Sequence, residues 1–346
     1  LGFNQTGTVT GRLSASKPNL QNQKRDATWL DKYYPGKAYK IEDLYSCSLK
    51  GVTEIIMPDS LEEAQRIFSP HLVEEKEENG KRYFLVHRKI RDMYYNPYGC
   101  LIAVDYGQME MRVMAHFSKD PGLLKAFEEG VDIHTWVASK AFKIPLEKVT
   151  KDQRSRAKAV GFGVIYGKTD YGYAKDWYGH ESDFVVGYDN KGREIINEIY
   201  LKKTRAFINS FFANFGGVKE YMEFMANYCY KYGYIRTLTG RKRRLPGIYS
   251  TSEWARARAN RQAVNTKIQG SSGDYIKMAQ IKLEEVLEGT GVEQVIQVHD
   301  ELIFTAPSLE VANKYAPIIQ EVMENIVPLS VNIVAEPVVT DRWGKA

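Results

Sequence analysis

Residues 101–112 read LIAVDYGQMEMR. Leu101, Ile102, Ala103 and Val104 form the apolar run a buried β-strand needs, and Asp105 stands at its C-terminal end. Beyond Gly107 the period changes, with Met109, Val113, Met114 and Phe117 falling near one face of a helix. A carboxylate where a buried strand opens into a helix is well placed to hold a divalent cation on a rigid floor. Taken alone, a strand-end Asp is more often a cap or a turn residue. A second stretch changes that balance. Residues 292–306 read VEQVIQVHDELIFTA, two apolar runs around His299, Asp300 and Glu301, the pattern of a β-hairpin with acids at its tip. Strand-borne acids so distant in sequence can converge on a pair of cations, the requirement for in-line displacement at phosphorus.

The chain has 346 residues and 43% hydrophobic content, enough for a real core in one large domain or a few small ones. No long uncharged apolar run appears, so a globular protein without a transmembrane segment is expected. The chain begins at Leu1 with no signal-peptide pattern, which reads as a piece of a longer protein. Cys47, Cys100 and Cys229 are odd in number and widely spaced, a usage that fits a reducing compartment and argues against structural zinc. A net charge of +5 decides little, but Lys231 to Arg261 carries nine Lys or Arg against one acid, Glu253. Such density suits a phosphate footprint, or a solvated helix face.

Residues 1–22 are polar and Gly-containing, an extended loop in which Arg12 and the amides of Asn19, Gln21 and Asn22 stand out. Residues 23–95 differ in kind. A short helix over 60–69 has Ser60 and Glu63 as a capping box, and Asn79-Gly80 marks a turn into a strand. No catalytic constellation appears there, and the segment reads as a small α+β surface insertion. Residues 120–150 are helical, with His134 near a helix start. The next helix, 151–166, carries Arg154, Lys158, Phe162 and Tyr166 at intervals of four. At about 100° per residue they drift slowly round one side. Two cations followed by two rings suit a nucleoside triphosphate, with phosphates on the cations and sugar and base beside the rings. An amphipathic helix with a basic edge is the plainer reading, which Gly161 and Gly163 weaken, since each costs a helix up to ~1 kcal/mol against Ala. Farther on, 171–192 reads as a loop or hairpin turning at Asp189-Asn190. Residues 194–232 read as two amphipathic helices broken near Gly216-Gly217. A turn follows with four consecutive cations, Arg241 to Arg244. Residues 252–288 form a long helical stretch interrupted by GSSGD, 308–326 a last helix, and VNIVAEPVVTDRW a strand able to pair beside the acidic hairpin.

In this order TGRLSASKPNLQN, DYGQMEMR, RSRAKAVGFGVIYG, TLTGRKRRLP, NTKIQGSSGD and VHDEL resemble the motifs of the family A DNA polymerases, the DNA polymerase I group that includes phage replicative enzymes. The resemblance runs from about Thr8 to the C-terminus, apart from the insertion. It implies an α+β fold, a polymerase palm of antiparallel sheet flanked by helices with an inserted, mostly helical fingers domain. The implied organisation is a palm entry and primer-contacting loop over 1–30, a surface insertion and lead-in over 31–95, palm over 96–130, fingers over 131–245 and palm over 246–346. By resemblance Asp105 and Asp300 are the metal-binding carboxylates for two Mg²⁺ ions, with Glu301 in support. His134, Arg154, Lys158, Phe162 and Tyr166 match dNTP-binding positions, and Glu110 matches the residue crowding the sugar's 2′ side. Arg12, Asn22, Arg261, Asn265, Gln269 and His299 match DNA-contacting positions. The implied reaction is template-directed addition of dNTPs to a primer 3′-OH with release of pyrophosphate. Primer–template DNA and a processivity factor are the implied partners, in the cytoplasm of a bacterial or phage-infected cell and away from any membrane. The thumb and any 3′–5′ exonuclease domain are expected in a preceding part of the parent.

Three positions depart from the family pattern: Ser155 and Gly161 where bacterial members more often carry Arg and Asn, and Gly107 in place of a common Ser. A phage-type single-subunit RNA polymerase shares the fingers-helix pattern, but normally lacks a Glu at the Glu110 position and has HDS in place of HDE. A catalytically silent DNA-binding subunit would have no need for Asp105, Asp300, Lys158 and Arg154 together.

Overall fold

The computed structural model describes residues 2–4, 14–16, 28–40, 54–67, 73–89, 91 and 94–343. At the amino terminus β1 (Gly2–Asn4) pairs antiparallel with β2 (Ser14–Ser16). The segment that follows contributes β3 (Thr28–Tyr33), β4 (Ala38–Lys40), β5 (Glu54–Ile56), α1 (Leu61–Ile67), β6 (Val73–Glu78) and β7 (Lys81–Lys89). Its main sheet has the order β3-β7-β6, and Tyr33, Met57, Ala64, Val73, Phe84 and Val86 make a core of their own. The expected helix and the turn at Asn79-Gly80 are both present, with the Glu63 N–H donating to Ser60 Oγ at 3.2 Å.

Next come β8 (Cys100–Tyr106), α2 (Met109–Ser118), α3 (Pro121–Glu128), α4 (Ile133–Phe142), α5 (Lys151–Ile165) and α6 (Asp170–Tyr178). They are followed by β9 (Val185–Tyr188), β10 (Glu194–Ile196), α7 (Glu198–Asn214), α8 (Gly216–Tyr232), β11 (Tyr234–Arg236) and β12 (Lys242–Arg244). The chain closes with α9 (Glu253–Leu287), β13 (Glu293–Val298), β14 (Glu301–Ala306), α10 (Leu309–Asn325) and β15 (Ala335–Thr340). The result is an α+β protein organised on one antiparallel sheet of order β13-β14-β8-β15.

Strand alternation gives that sheet two different faces. Ile102, Val104 and Tyr106 join the large core that includes Tyr275 and Leu283 of α9 and Ile319 and Met323 of α10. Leu101 and Ala103 point the other way, into a small cluster with Val298, Ile303 and Trp343. Tyr106 closes the helical side, its hydroxyl donating to the Met323 carbonyl at 3.1 Å. No helix among the described residues is long and apolar enough to cross a membrane.

Three sequence expectations are corrected. Residues 170–178 are helical, because Thr169 caps the Gly172 N–H and Tyr173 and Ala174 are buried; the hairpin begins only at β9. The GSSGD segment does not interrupt α9, which runs unbroken from 253 to 287. Its small residues let the loop after β11 lie on the helix. The Leu238 N–H donates to Ser271 Oγ at 2.8 Å, and Asp274 accepts from Arg241 and Thr239 at 2.9 and 2.6 Å. Finally, β15 pairs with β8 rather than with the acidic hairpin, which lies on the opposite flank of β8.

Candidate active site

The register of the central sheet sets Asp105 directly opposite Glu301 on one side and Glu336 on the other. Cross-strand partners share a face, so all three carboxylates continue the side that carries Leu101 and Ala103. Asp300 is one residue from Glu301, in the turn between β13 and β14, and its carbonyl accepts the Tyr106 N–H at 3.1 Å. His299 opens that turn at φ 53°, the left-handed region that a tight hairpin demands and that a non-glycine residue seldom adopts. Asp105 and His299 are exposed, and Asp300 is half-buried.

Like charges opposite one another are unfavourable unless they are neutralised. For Glu301 the neutralisation comes from Arg91, whose guanidinium donates to Oε2 at 3.0 Å and lies 4.2 Å over the Trp343 ring. Trp343 Nε1 donates to the other oxygen at 3.1 Å. Both Glu301 oxygens are therefore held from below, which fixes the strand end on which Asp300 turns. Arg91, Trp343 and Glu336 were not singled out in the sequence. Strand alternation around Glu336 could have shown its parity, but only the pairing register puts it opposite Asp105.

Among the described residues no three His, Cys, Asp or Glu side chains form a ready-made metal cluster. The donors here are hard carboxylate oxygens on neighbouring strands. This set suits ions that take one or two carboxylates and complete their shell with substrate phosphates and water.

A second wall comes from α2 and α5. Glu110 is buried, 4% exposed, and accepts a hydrogen bond from the Tyr166 hydroxyl; Gln269 Nε2 stands 3.5 Å from the same hydroxyl. Tyr166 lies at the end of α5, where Gly167 turns at φ 69° and Arg261 of α9 crosses so closely that a Cβ at Gly167 would collide with it. Arg261, Asn265 and Gln269 recur every four residues along α9 and so share one side of the helix.

On α5, Lys158 is exposed while Arg154 is engaged by Asp132 through two hydrogen bonds of 2.8 and 3.0 Å. The same carboxylate caps α4 through the Thr135 N–H at 2.8 Å and accepts from Gln108 Nε2 at 3.4 Å, so it ties the start of α2 to α5. Burial opposes ionisation of Asp132, but hydrogen bonds from Arg154 and Thr135 outweigh it and hold the carboxyl well below the usual range. Sequence reasoning missed Asp132, although a helix-capping Asp just before His134 was a signal. His134 is buried, 3% exposed. Burial pushes it down to about 4, with Asp132 opposing and Lys158 and Arg154 adding to the fall. Phe162 belongs to α5, and its side chain lies outside those described. Arg12 and Asn22 lie outside the described residues altogether.

Acidic strand ends on an antiparallel sheet, with an exposed lysine and arginine on α5, are the features by which the sequence points to a nucleotidyl-transfer site. The comparisons carry this one step further. The DNA polymerase family A profile matches residues 85–345, and the chain belongs to that family. It is 35% identical to DNA polymerase I of Geobacillus stearothermophilus over 95% of this chain and 29% of that protein. With the thermostable DNA polymerase I of Thermus aquaticus the identity is 31%, over 99% and 32% of the two chains. A solved structure, the POL domain of Pol1 from M. smegmatis in complex with DNA primer-template and dNTP, superposes with a TM-score of 0.71 at 30% identity. That likeness covers 99% of this chain and 48% of the other. The chain thus spans about three-tenths of the length of the curated relatives it matches. Family A polymerases generally use divalent metal ions.

Proposed function

We propose that this chain carries the catalytic core for template-directed DNA synthesis, adding dNTPs to a primer 3′-OH with loss of pyrophosphate. The observation that carries the reading is the β14-β8 register, which puts Asp105 opposite Glu301 and beside Asp300. Asp105 and Asp300 would hold two Mg²⁺ ions. When bound, the ions supply a more acidic primer hydroxyl and a neutralised pyrophosphate. The chain's own residues do the positioning. Lys158 is free to meet the triphosphate, and Arg154 would exchange the Asp132 carboxylate for phosphate oxygens, a planar fork suiting either. His134, neutral at pH 7, offers an N–H rather than a charge. Phe162 and Tyr166 would flank sugar and base, and Glu110, braced by Tyr166, would fill the space of a 2′-OH. That bracing favours DNA over RNA synthesis.

Arg12, Asn22, Arg261, Asn265, Gln269 and His299 are proposed to contact primer–template. Minor-groove acceptors are nearly sequence-independent, so such contacts can test pair shape without reading sequence. The proposed organisation is a palm entry and primer-contacting loop over 1–30, a surface insertion and lead-in to the palm over 31–95, palm over 96–130 and 246–346, and fingers over 131–245. A thumb and exonuclease domain in the parent protein, a processivity factor and a cytoplasmic setting belong to the same reading.

The test is Mg²⁺-dependent primer extension with Asp105→Ala and Asp300→Ala. Each should abolish extension and leave primer–template binding largely intact, because the proposed phosphate contacts lie elsewhere. Near-normal turnover in either variant would reject the assignment.

A further inference from the structure

Away from the acidic strand ends, α8 and the β11–β12 hairpin present a surface that the proposed reaction leaves without a task. Phe224, Tyr228 and Tyr232 recur every four residues on α8 and so share a face. Their rings run in sequence, with Phe224–Tyr228 centroids 6.2 Å apart and Tyr228–Tyr232 4.6 Å. Tyr234 of β11 extends the row, 6.2 Å from both Tyr228 and Tyr232. Phe224 is 59% exposed and Tyr232 46%, and with the rings beside them they form a contiguous aromatic patch at the surface.

The hairpin supplies charge in register with the rings. Tyr234 pairs with Arg244 and Arg236 with Lys242, so these four side chains share its outer face. Ile235 and Arg243 take the inner one, where Ile235 is fully buried and Arg243 donates to Thr266 at 2.6 Å. Lys242 Nζ stands 3.7 Å from the Tyr234 centroid, and Lys231 Nζ lies 5.2 Å from that of Tyr232. Lys231, Arg236, Lys242 and Arg244 form no salt bridge among the described residues. The sequence explains why: residues 224–252 contain six Lys or Arg and no Asp or Glu.

From this arrangement we infer that the α8–hairpin face binds an unpaired DNA strand, its bases stacking on the Phe224–Tyr228–Tyr232–Tyr234 row and its phosphates meeting Lys231, Arg236, Lys242 and Arg244. Exposed rings interleaved with uncompensated cations are what sequence-independent single-strand binding requires. A duplex hides its base faces in its own stack and could use only the cations. The unpaired strand that the proposed reaction supplies is the template still to be copied, so the choice of occupant rests on that reading.

The experiment measures fluorescence-anisotropy binding of the full chain to a labelled blunt duplex and to the same duplex carrying a long 5′ overhang. Wild type should prefer the overhang. Phe224→Ala with Tyr232→Ala should weaken overhang binding about five- to a hundredfold and leave blunt-duplex affinity within about twofold. Tyr232→Phe keeps the ring and should keep the preference, which guards against a fold defect. Lys242→Glu with Arg244→Glu should flatten the salt dependence of overhang binding, by a slope of roughly 0.7 for each phosphate no longer neutralised. Three results would overturn the inference: no overhang preference in wild type, an equal preference in the alanine pair, or an equal loss on blunt duplex. Single-nucleotide extension reads the catalysis separately. A wild-type chain that prefers overhangs but cannot extend a primer overturns only the proposed function.

Discussion

Glu110 is a carboxylate almost wholly shielded from water, and such a group must be met by donors. The Tyr166 hydroxyl is one, with Gln269 behind it. Removing a donor to a buried charged acceptor costs about 1–3 kcal/mol, so Tyr166→Phe should loosen Glu110 without removing it. If Glu110 excludes a 2′-OH, Glu110→Ala should raise rNTP use relative to dNTP strongly, and Tyr166→Phe less so. The ratio of kcat/KM for the two substrates decides, and an unchanged ratio in Glu110→Ala removes the role. His134 makes a prediction of a different kind. Its folded value near 4 lies below the 6.5 of a free imidazole, because burial disfavours the charged form. Between those values the unfolded chain binds more protons than the folded one. This part of the stability is therefore complete above about 6.5 and is lost as pH falls toward about 4. Thermal melts across that window should fall more steeply for wild type than for His134→Gln. Asp132, held low, contributes its own loss at lower pH still.

On the scale of an element, α5 shows two glycines with opposite reasons to exist. A Cβ at Gly163 would collide with the Tyr173 hydroxyl, which donates to the Val160 carbonyl at 3.2 Å from a fully buried ring. At Gly161 the nearest atoms are Met111 Sδ and Cε, at 3.7 and 3.8 Å, an ordinary approach to a flexible side chain. Gly163→Ala should thus be destabilising by about 1–3 kcal/mol through overpacking, while Gly161→Ala should gain up to ~1 kcal/mol of helix propensity. Denaturant melts of the two variants check the opposite signs, and equal shifts would mean that Tyr173 does not rest on this helix. The pair also marks what the sequence could tell. Gly161 and Gly163 were recognisable as departures from a simple amphipathic helix, but Tyr173 is ten residues from Gly163 and sits in a stretch read as a loop. The strand carrying Asp105, the acidic hairpin and α5 were legible because apolar runs and fourfold spacing are local signals. The continuity of α9 was not, since GSSGD follows the rules of a helix breaker until the loop that packs on it is known. Nor were Arg91 and Glu336, whose positions depend on pairing register rather than on their neighbours in sequence.

Across the whole molecule the segment proposed as an insertion and the central sheet have separate hydrophobic cores. Phe84, Val86 and Met57 pack within the insertion and share no cluster with the strand that carries Asp105. The connection lies at the end of β7, two residues before Arg91 reaches Glu301. Register makes the insertion separable, for Leu30 of β3 stands opposite His87 of β7 and Thr28 opposite Lys89. Antiparallel partners lie only about 5 Å apart, so a hairpin-length linker can close the gap left by removing 31–88. Such a variant should keep single-nucleotide addition within about twofold of wild type, because the insertion contributes no proposed site residue. Any loss should appear in processivity or partner binding. Arg91→Ala should behave in the opposite way, because it strips a nearly buried carboxylate of its ion pair, at a cost of about 3–5 kcal/mol. That loss falls on the strand end where Asp300 turns, so stability and turnover should decline together. Single-turnover addition and thermal melting of the two variants separate the module from the site. Loss of chemistry in a well-folded deletion variant, or an Arg91→Ala protein as stable and active as wild type, would place the boundary elsewhere.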